Sequence, residues 1–139
     1  MNDLITNLYK ENIIQIKKTK MKNGLISPIY FNFNNIFKNK FVLNLFLKNL
    51  NEFIENNINF DYILGTKDFT KNLCTLLYFK YNYKNIFDEK NIEKDYNILL
   101  IKDNYGLNTI KNKIEKYKLN KVLFLVKYHY SKNFELDTF

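Results

Sequence analysis

A chain of 139 residues, 46% of them apolar, is one domain's worth of sequence and can bury about two-thirds of its unfolded surface around a core. Its formal charge of +8 comes from 22 basic residues, all lysine. One cysteine, Cys74, and one histidine, His129, exclude an internal disulfide and give little support to zinc chemistry or a Cys-His dyad. No segment reaches the ~18 uninterrupted apolar residues of a membrane span. The opening Met1-Asn2-Asp3-Leu4 has an early acid and no signal-peptide character, so the expected location is cytoplasmic.

A basic chain gains affinity for phosphate by releasing counterions. Here, however, Asn, Ile, Phe, Tyr and Lys recur throughout while arginine and tryptophan are absent. That is the usage AT-rich codons supply. The lysines are spread along the chain and arginine's planar fork is missing, so nucleic acid is not the favoured partner.

Behind Asp3 as an N-cap, Leu4, Ile5, Leu8 and Tyr9 fall at helical spacing and predict a short amphipathic helix. Residues 14–22 alternate irregularly, Asn23-Gly24 signals a turn, and Ile29-Tyr30-Phe31 resumes an apolar run after Ser27-Pro28, giving two extended segments around a turn. Phe41, Val42, Leu45, Phe46, Leu50, Phe53 and Ile54 trace the strongest helical face, broken by Asn56-Asn57.

Phe60 to Gly65 reads as a short buried strand ending at glycine, followed by a polar turn from Thr66 to Asn72. A helix carrying Leu73, Leu76 and Leu77 comes next, with Cys74 a small core residue in it. Tyr83 to Phe87 is a candidate for another short strand. Ile98 to Ile101 is four consecutive apolar residues, the pattern of a strand buried on both faces. After it, Asp103, Asn104, Gly106, Asn108 and Thr109 make a turn. A helix with Leu107, Ile110, Ile114 and Tyr117 on one face follows that turn. Such a turn sets N–H groups and a helix N-terminus around one point, as phosphate sites in doubly wound proteins do; an ordinary strand-to-helix connection has the same outline. Val122 to Val126 is expected to close the sheet. Strands alternating with helices predict an α/β fold with a mainly parallel twisted sheet, helices on both faces and right-handed crossovers.

Lys22-Asn23-Gly24-Leu25-Ile26-Ser27-Pro28-Ile29-Tyr30-Phe31-Asn32 resembles the Lys-Ser-Gly-x-x-Ser-Pro-x-Phe-Phe-Asn motif of the orotate phosphoribosyltransferases. Phe60 to Gly65 is similar to the strand and glycine of that family's next motif, and Ile98 to Thr109 occupies the place of its phosphoribosyl pyrophosphate signature. The three glycines, Gly24, Gly65 and Gly106, and the only proline, Pro28, all lie in these segments. In a composition poor in both, backbone need explains their retention.

The resemblance implies a single type I phosphoribosyltransferase-like domain over 1–139, with an N-terminal helix and extended hood in 1–33 and the core in 34–139. It implies phosphoribosyl pyrophosphate and orotate as substrates, magnesium carried on the pyrophosphate rather than on a protein metal site, and a homodimer or a partner chain. By position, Lys22 resembles the lysine at the junction of base and pyrophosphate, and Tyr30 and Phe31 the residues beside the orotate ring. Asp103, Asn104, Gly106, Asn108 and Thr109 would hold ribose and phosphate.

The departures are specific. The signature's two adjacent acids are here Lys102-Asp103, and its Thr-Ala-Gly-Thr loop is Gly106-Leu107-Asn108-Thr109. An ungapped match puts Phe69 where the second motif has its pyrophosphate lysine, with Lys67 and Lys71 two positions to either side. The closing loop has no counterpart between Tyr83 and Asn97, and the chain stops soon after Val126, which is expected to leave apolar surface around Phe124 and Phe134 for a subunit to cover. Losing one charge-assisted hydrogen bond costs about 1.5 to 3 kcal/mol, which an enzyme survives; losing a closing loop costs more. Three functions stay open: a reduced orotate phosphoribosyltransferase, a non-catalytic descendant that binds nucleotide or scaffolds a partner, and a basic RNA-binding protein.

Overall fold

A computed structural model describes residues 2–20, 26–88, 90, 92, 97–104, 121–126 and 137–138. The chain divides into two compact units, Met1–Glu52 and Phe53–Phe139.

In the first unit, helix α1 (Asn2–Lys10) buries Leu4 and Leu8, four residues apart on one face. Asp3 lies inside the first turn and is not the N-cap expected of it; its carbonyl accepts from Asn7 Nδ2 at 2.7 Å. The helix ends in a Schellman motif. Asn12 takes the left-handed conformation at φ 58°, Ile13 N donates to Leu8 O at 2.9 Å and Asn12 N to Tyr9 O at 3.1 Å. The accompanying apolar contact at such a stop accounts for the full burial of Ile13.

Strands β1 (Ile14–Lys20) and β2 (Ile26–Phe31) pair antiparallel, with Ile14 opposite Phe31 and an irregularity between Ile16 and Thr19. These are the two extended segments expected around Asn23-Gly24; the turn itself lies outside the described residues. A 3-10 turn, Phe33–Lys38, buries Ile36. Helix α2 (Lys40–Asn57) starts where Asn39 Oδ1 accepts from Val42 N at 3.1 Å, an N-cap of the usual kind. It buries Val42, Phe46, Leu50 and Ile54 of the expected face, with Leu45 and Phe53 half-buried, and Leu47, outside that expectation, is buried as well. Phe41, read onto that face, is 68% exposed, one residue before the buried stripe begins.

The second unit carries a four-stranded sheet, all parallel, in the order β3 (Tyr62–Gly65), β4 (Ile98–Asn104), β5 (Lys121–Val126), β6 (Asp137–Thr138). Ile98 to Ile101 are buried throughout, and β4 lies inside the sheet with a paired strand on each side. Val122 to Val126 falls within β5 as expected but does not close the sheet, since the two-residue β6 pairs beyond it. Tyr83 to Phe87 is not a full strand: Asn85 alone bridges Ile63 on the outer edge of β3, held by Ile63 N to Lys84 O and Ile86 N to Ile63 O. Helix α3 (Asp68–Tyr81) packs on β3 and β4 and ends at Asn82 in the left-handed conformation.

Helix α3 begins five residues earlier than the expected turn, Thr66 to Asn72, allows. The reason is Gly65. A Cβ built there would lie 2.5 Å from the carbonyl carbon and oxygen of Thr70 and 2.7 Å from Lys71 N, so the first turn of α3 sits on the strand end itself. Gly65→Ala is expected to lower the denaturant midpoint, with a cost of about 1–3 kcal/mol for overpacking against backbone.

Cys74, fully buried in α3, has its thiol pKa raised from 9.0 to about 12 by burial. Folding therefore favours the neutral thiol. That contribution is intact below pH ~9 and is lost as pH rises toward ~12. Thiol-reagent labelling of native protein should be slow at pH 8 and become fast only on unfolding.

Candidate functional site

The site is assembled from the strand ends of the second unit. The absent Cβ of Gly65 points at α3, so α3 covers that face of the sheet. Gly65 pairs with Ile101 in the parallel register, and lateral partners share a face. Ile101 therefore points toward α3, and alternation places Asp103 on that same face two residues further on. The β4–β5 register continues to Asn104 opposite Val126, so β4 overruns the end of β3 by three residues. Asp103, half-buried, thus stands beyond Gly65, on the side from which α3 starts.

The start of α3 is locked by two side-chain bonds. Lys67 N donates to Thr70 Oγ1 at 3.2 Å, and the Thr70 hydroxyl donates to Lys67 O at 3.1 Å. Lys71 N closes the first helical bond to Lys67 O at 2.8 Å. Thr70 is buried and plays the part that Glu takes at the third position of a capping box. The sequence reading missed it; the signal available was the three-residue spacing from Lys67, which is weak because lysine is not a usual cap. First-turn N–H groups of a helix have no acceptor within the helix, and its dipole favours an anion there.

Phe69, aligned with the family's pyrophosphate lysine, is only 6% exposed and serves packing. The cations on offer are Lys67, at the N-cap, and Lys71, inside the first turn rather than in a loop; both are exposed. Lys102, which stands where the signature has its first acid, lies on the sheet face opposite Asp103 by the same alternation and is 3% exposed. It is level with Phe124 of β5.

Of the residues expected at the site, Lys67, Lys71, Asp103 and Asn104 belong to the second unit. Asn104 is described as backbone, the last residue of β4. Tyr30 and Phe31 belong to the first unit, on β2, both half-buried, with the Phe31 ring stacked on Phe33 at 5.6 Å and 16°. Lys22, Gly106, Asn108 and Thr109 lie outside the described residues, as do the helix expected after Gly106 and the side chains of Phe124 and Phe134.

Thr70→Val should shift the denaturant midpoint by about 1 kcal/mol, the worth of a lost cap, and speed amide exchange in the first turn of α3.

No protein-family profile matches the sequence, and no curated protein matches it. Solved structures do. UMP synthase from Leishmania donovani superposes with a TM-score of 0.80 at 16% identity, over 98% of this chain and 34% of its own. This chain thus spans about a third of that protein. Orotate phosphoribosyltransferase from Aeropyrum pernix gives 0.70 at 14% identity, over 91% of this chain and 82% of its own. Adenine phosphoribosyltransferase from Saccharomyces cerevisiae, solved with adenine and an imino-altritol bisphosphate, gives 0.65 at 10% identity, over 100% and 98%. The chain has the fold of the type I phosphoribosyltransferases.

Proposed function

We propose that the chain is a reduced phosphoribosyltransferase that transfers phosphoribose from phosphoribosyl pyrophosphate to orotate, giving orotidine monophosphate in pyrimidine biosynthesis. The observation that carries this reading is the placement of Asp103: a carboxylate past the end of β3, on the face from which α3 starts, at the second acid of the signature. In the transfer, the bond from ribose C1 to the pyrophosphate oxygen breaks as a bond to a base nitrogen forms. The protein's task is positioning and charge stabilisation. Asp103 would accept from a ribose hydroxyl. Lys67, the start of α3 and Lys71 would receive phosphate oxygens, and Lys22 would stand at the leaving group. Tyr30 and Phe31 would flank the base.

Among the described residues no group of three His, Cys, Asp or Glu side chains could hold a metal. That donor set fits magnesium bound chiefly by substrate phosphates, with a carboxylate such as Asp103 in support, and not a protein cage. Bound there, the ion would neutralise charge on the departing pyrophosphate. A homodimer, or a partner chain supplying a closing loop, would complete the site.

A second base, adenine, is favoured by one observation: the yeast adenine enzyme is matched over nearly its whole length. The test runs both bases side by side with phosphoribosyl pyrophosphate and magnesium, following base consumption. The expected outcome is slow, magnesium-dependent loss of orotate, lowered about ten- to hundredfold by Asp103→Asn through a lost charge-assisted bond and lowered also by Lys22→Ala. Consumption of adenine alone would reassign the base. Saturable binding of orotidine monophosphate without turnover would make the chain a non-catalytic descendant.

A further inference from the structure

Two aromatic rings stand on either side of Asn32, where β2 passes into the 3-10 turn. Phe31 ends β2 and Phe33 opens the turn, and their rings lie 5.6 Å apart with planes inclined by only 16°. Nearly parallel planes at that separation make an offset stack. The backbone that carries the pair is held at Asn32, whose N–H donates to Ile13 O at 2.7 Å and whose carbonyl accepts from Asn35 N at 3.2 Å. Each bond runs to a buried anchor or its neighbour. Ile13, just past the stop of α1, and Ile36, next to Asn35 in the turn, are both fully buried. Phe31 and Phe33 are themselves half-buried, so the pair is anchored through its backbone and still reaches solvent.

We propose that Phe33 is a positioning residue for the base of the transferase reaction and acts through Phe31. The inference rests on the transferase reading above, in which Phe31 lies beside the base, and adds what holds that ring. A phenylalanine that meets a planar ligand with its face gives up rotation about its side-chain bonds, and that loss is subtracted from the affinity. Phe33 removes part of the loss beforehand. With its plane set by a neighbour at 16°, Phe31 is oriented before the ligand arrives, and a base lying parallel to it continues the stack. The ligand class follows from the contact. Every base has a π-face, so stacking on phenylalanine is tolerant of base identity, and Phe33 governs how tightly a base is held rather than which base is chosen. The stack carries no charge, so affinity for phosphoribosyl pyrophosphate should not depend on it.

The test is steady-state kinetics of the full chain with orotate and with adenine, varying base and phosphoribosyl pyrophosphate in turn, with melting temperatures measured in parallel. Phe33→Leu and Phe33→Met, which keep an apolar side chain but no ring, should each raise the KM of the consumed base about two- to tenfold, the worth of one ring-ring contact. The KM for phosphoribosyl pyrophosphate should stay where it is. Phe33→Tyr should restore the base KM, and Phe33→Leu should add nothing to the effect of Phe31→Leu, because the two rings act as one unit. A rise in both KM values together, or additive effects of the two substitutions, would reduce Phe33 to a packing residue and overturn the proposal. If neither base is consumed, the transferase reading falls by itself, and equilibrium dialysis with orotidine monophosphate and adenosine monophosphate decides the role of Phe33. Nucleotide binding weakened by Phe33→Leu and restored by Phe33→Tyr would sustain it; binding indifferent to both, or no binding, would overturn it.

Discussion

The approach of α3 to the end of β3 is the constraint on which the second unit depends. A helix axis normally stands well clear of a sheet, separated by two layers of side chains. At Gly65 there is no side chain, and the backbone of Thr70 and Lys71 occupies the space where a Cβ would be. That contact sets where the helix begins, and therefore where its first-turn N–H groups lie relative to the strand ends. Thr70 reinforces it by bonding both backbone groups of Lys67. The rest of α3 then has one face to bury, and Phe69, Leu73, Cys74 and Leu77, at spacings of four, one and three, bury it.

Parallel pairing turns that local contact into a site. Because β3 and β4 run the same way, their carboxyl ends lie side by side, and ligands in open α/β sheets bind just outside such ends. The three extra residues of β4 decide what is presented there. One face carries Asp103 and the other buries Lys102. In a paired signature of two acids each face would carry a carboxylate. Here the face toward α3 carries an acid and the opposite face a buried cation.

The elements legible in the sequence were those fixed by unbroken apolar runs or clean periodicity. Ile98 to Ile101 and Val122 to Val126 could only be buried strands, and the stripe from Val42 to Ile54 could only be a helix. The errors fall where polar residues have structural duties. Thr66 to Asn72 looks like a loop because Thr, Lys, Asp and Asn fill it, yet Thr70 is buried and Lys71 is helical, both consequences of a glycine contact that sequence spacing does not reveal. Asn12 and Asn82 stop helices by adopting the left-handed conformation, a role indistinguishable, in a chain with asparagine everywhere, from that of any other asparagine. Of the candidate site, the strand and its acid were readable. The burial of Lys102 was not, because its position on β4 says which face it takes but not what covers that face.

Phe69 and Asp103 stand in different surroundings. A buried aromatic cannot be exchanged for a cation facing solvent without opening the core, so Phe69 is fixed by packing. Asp103, by contrast, is half-buried and stands beyond the level at which β3 ends. The glycine answers to the close approach of α3, and the acid is carried past the sheet edge by the three-residue overrun of β4.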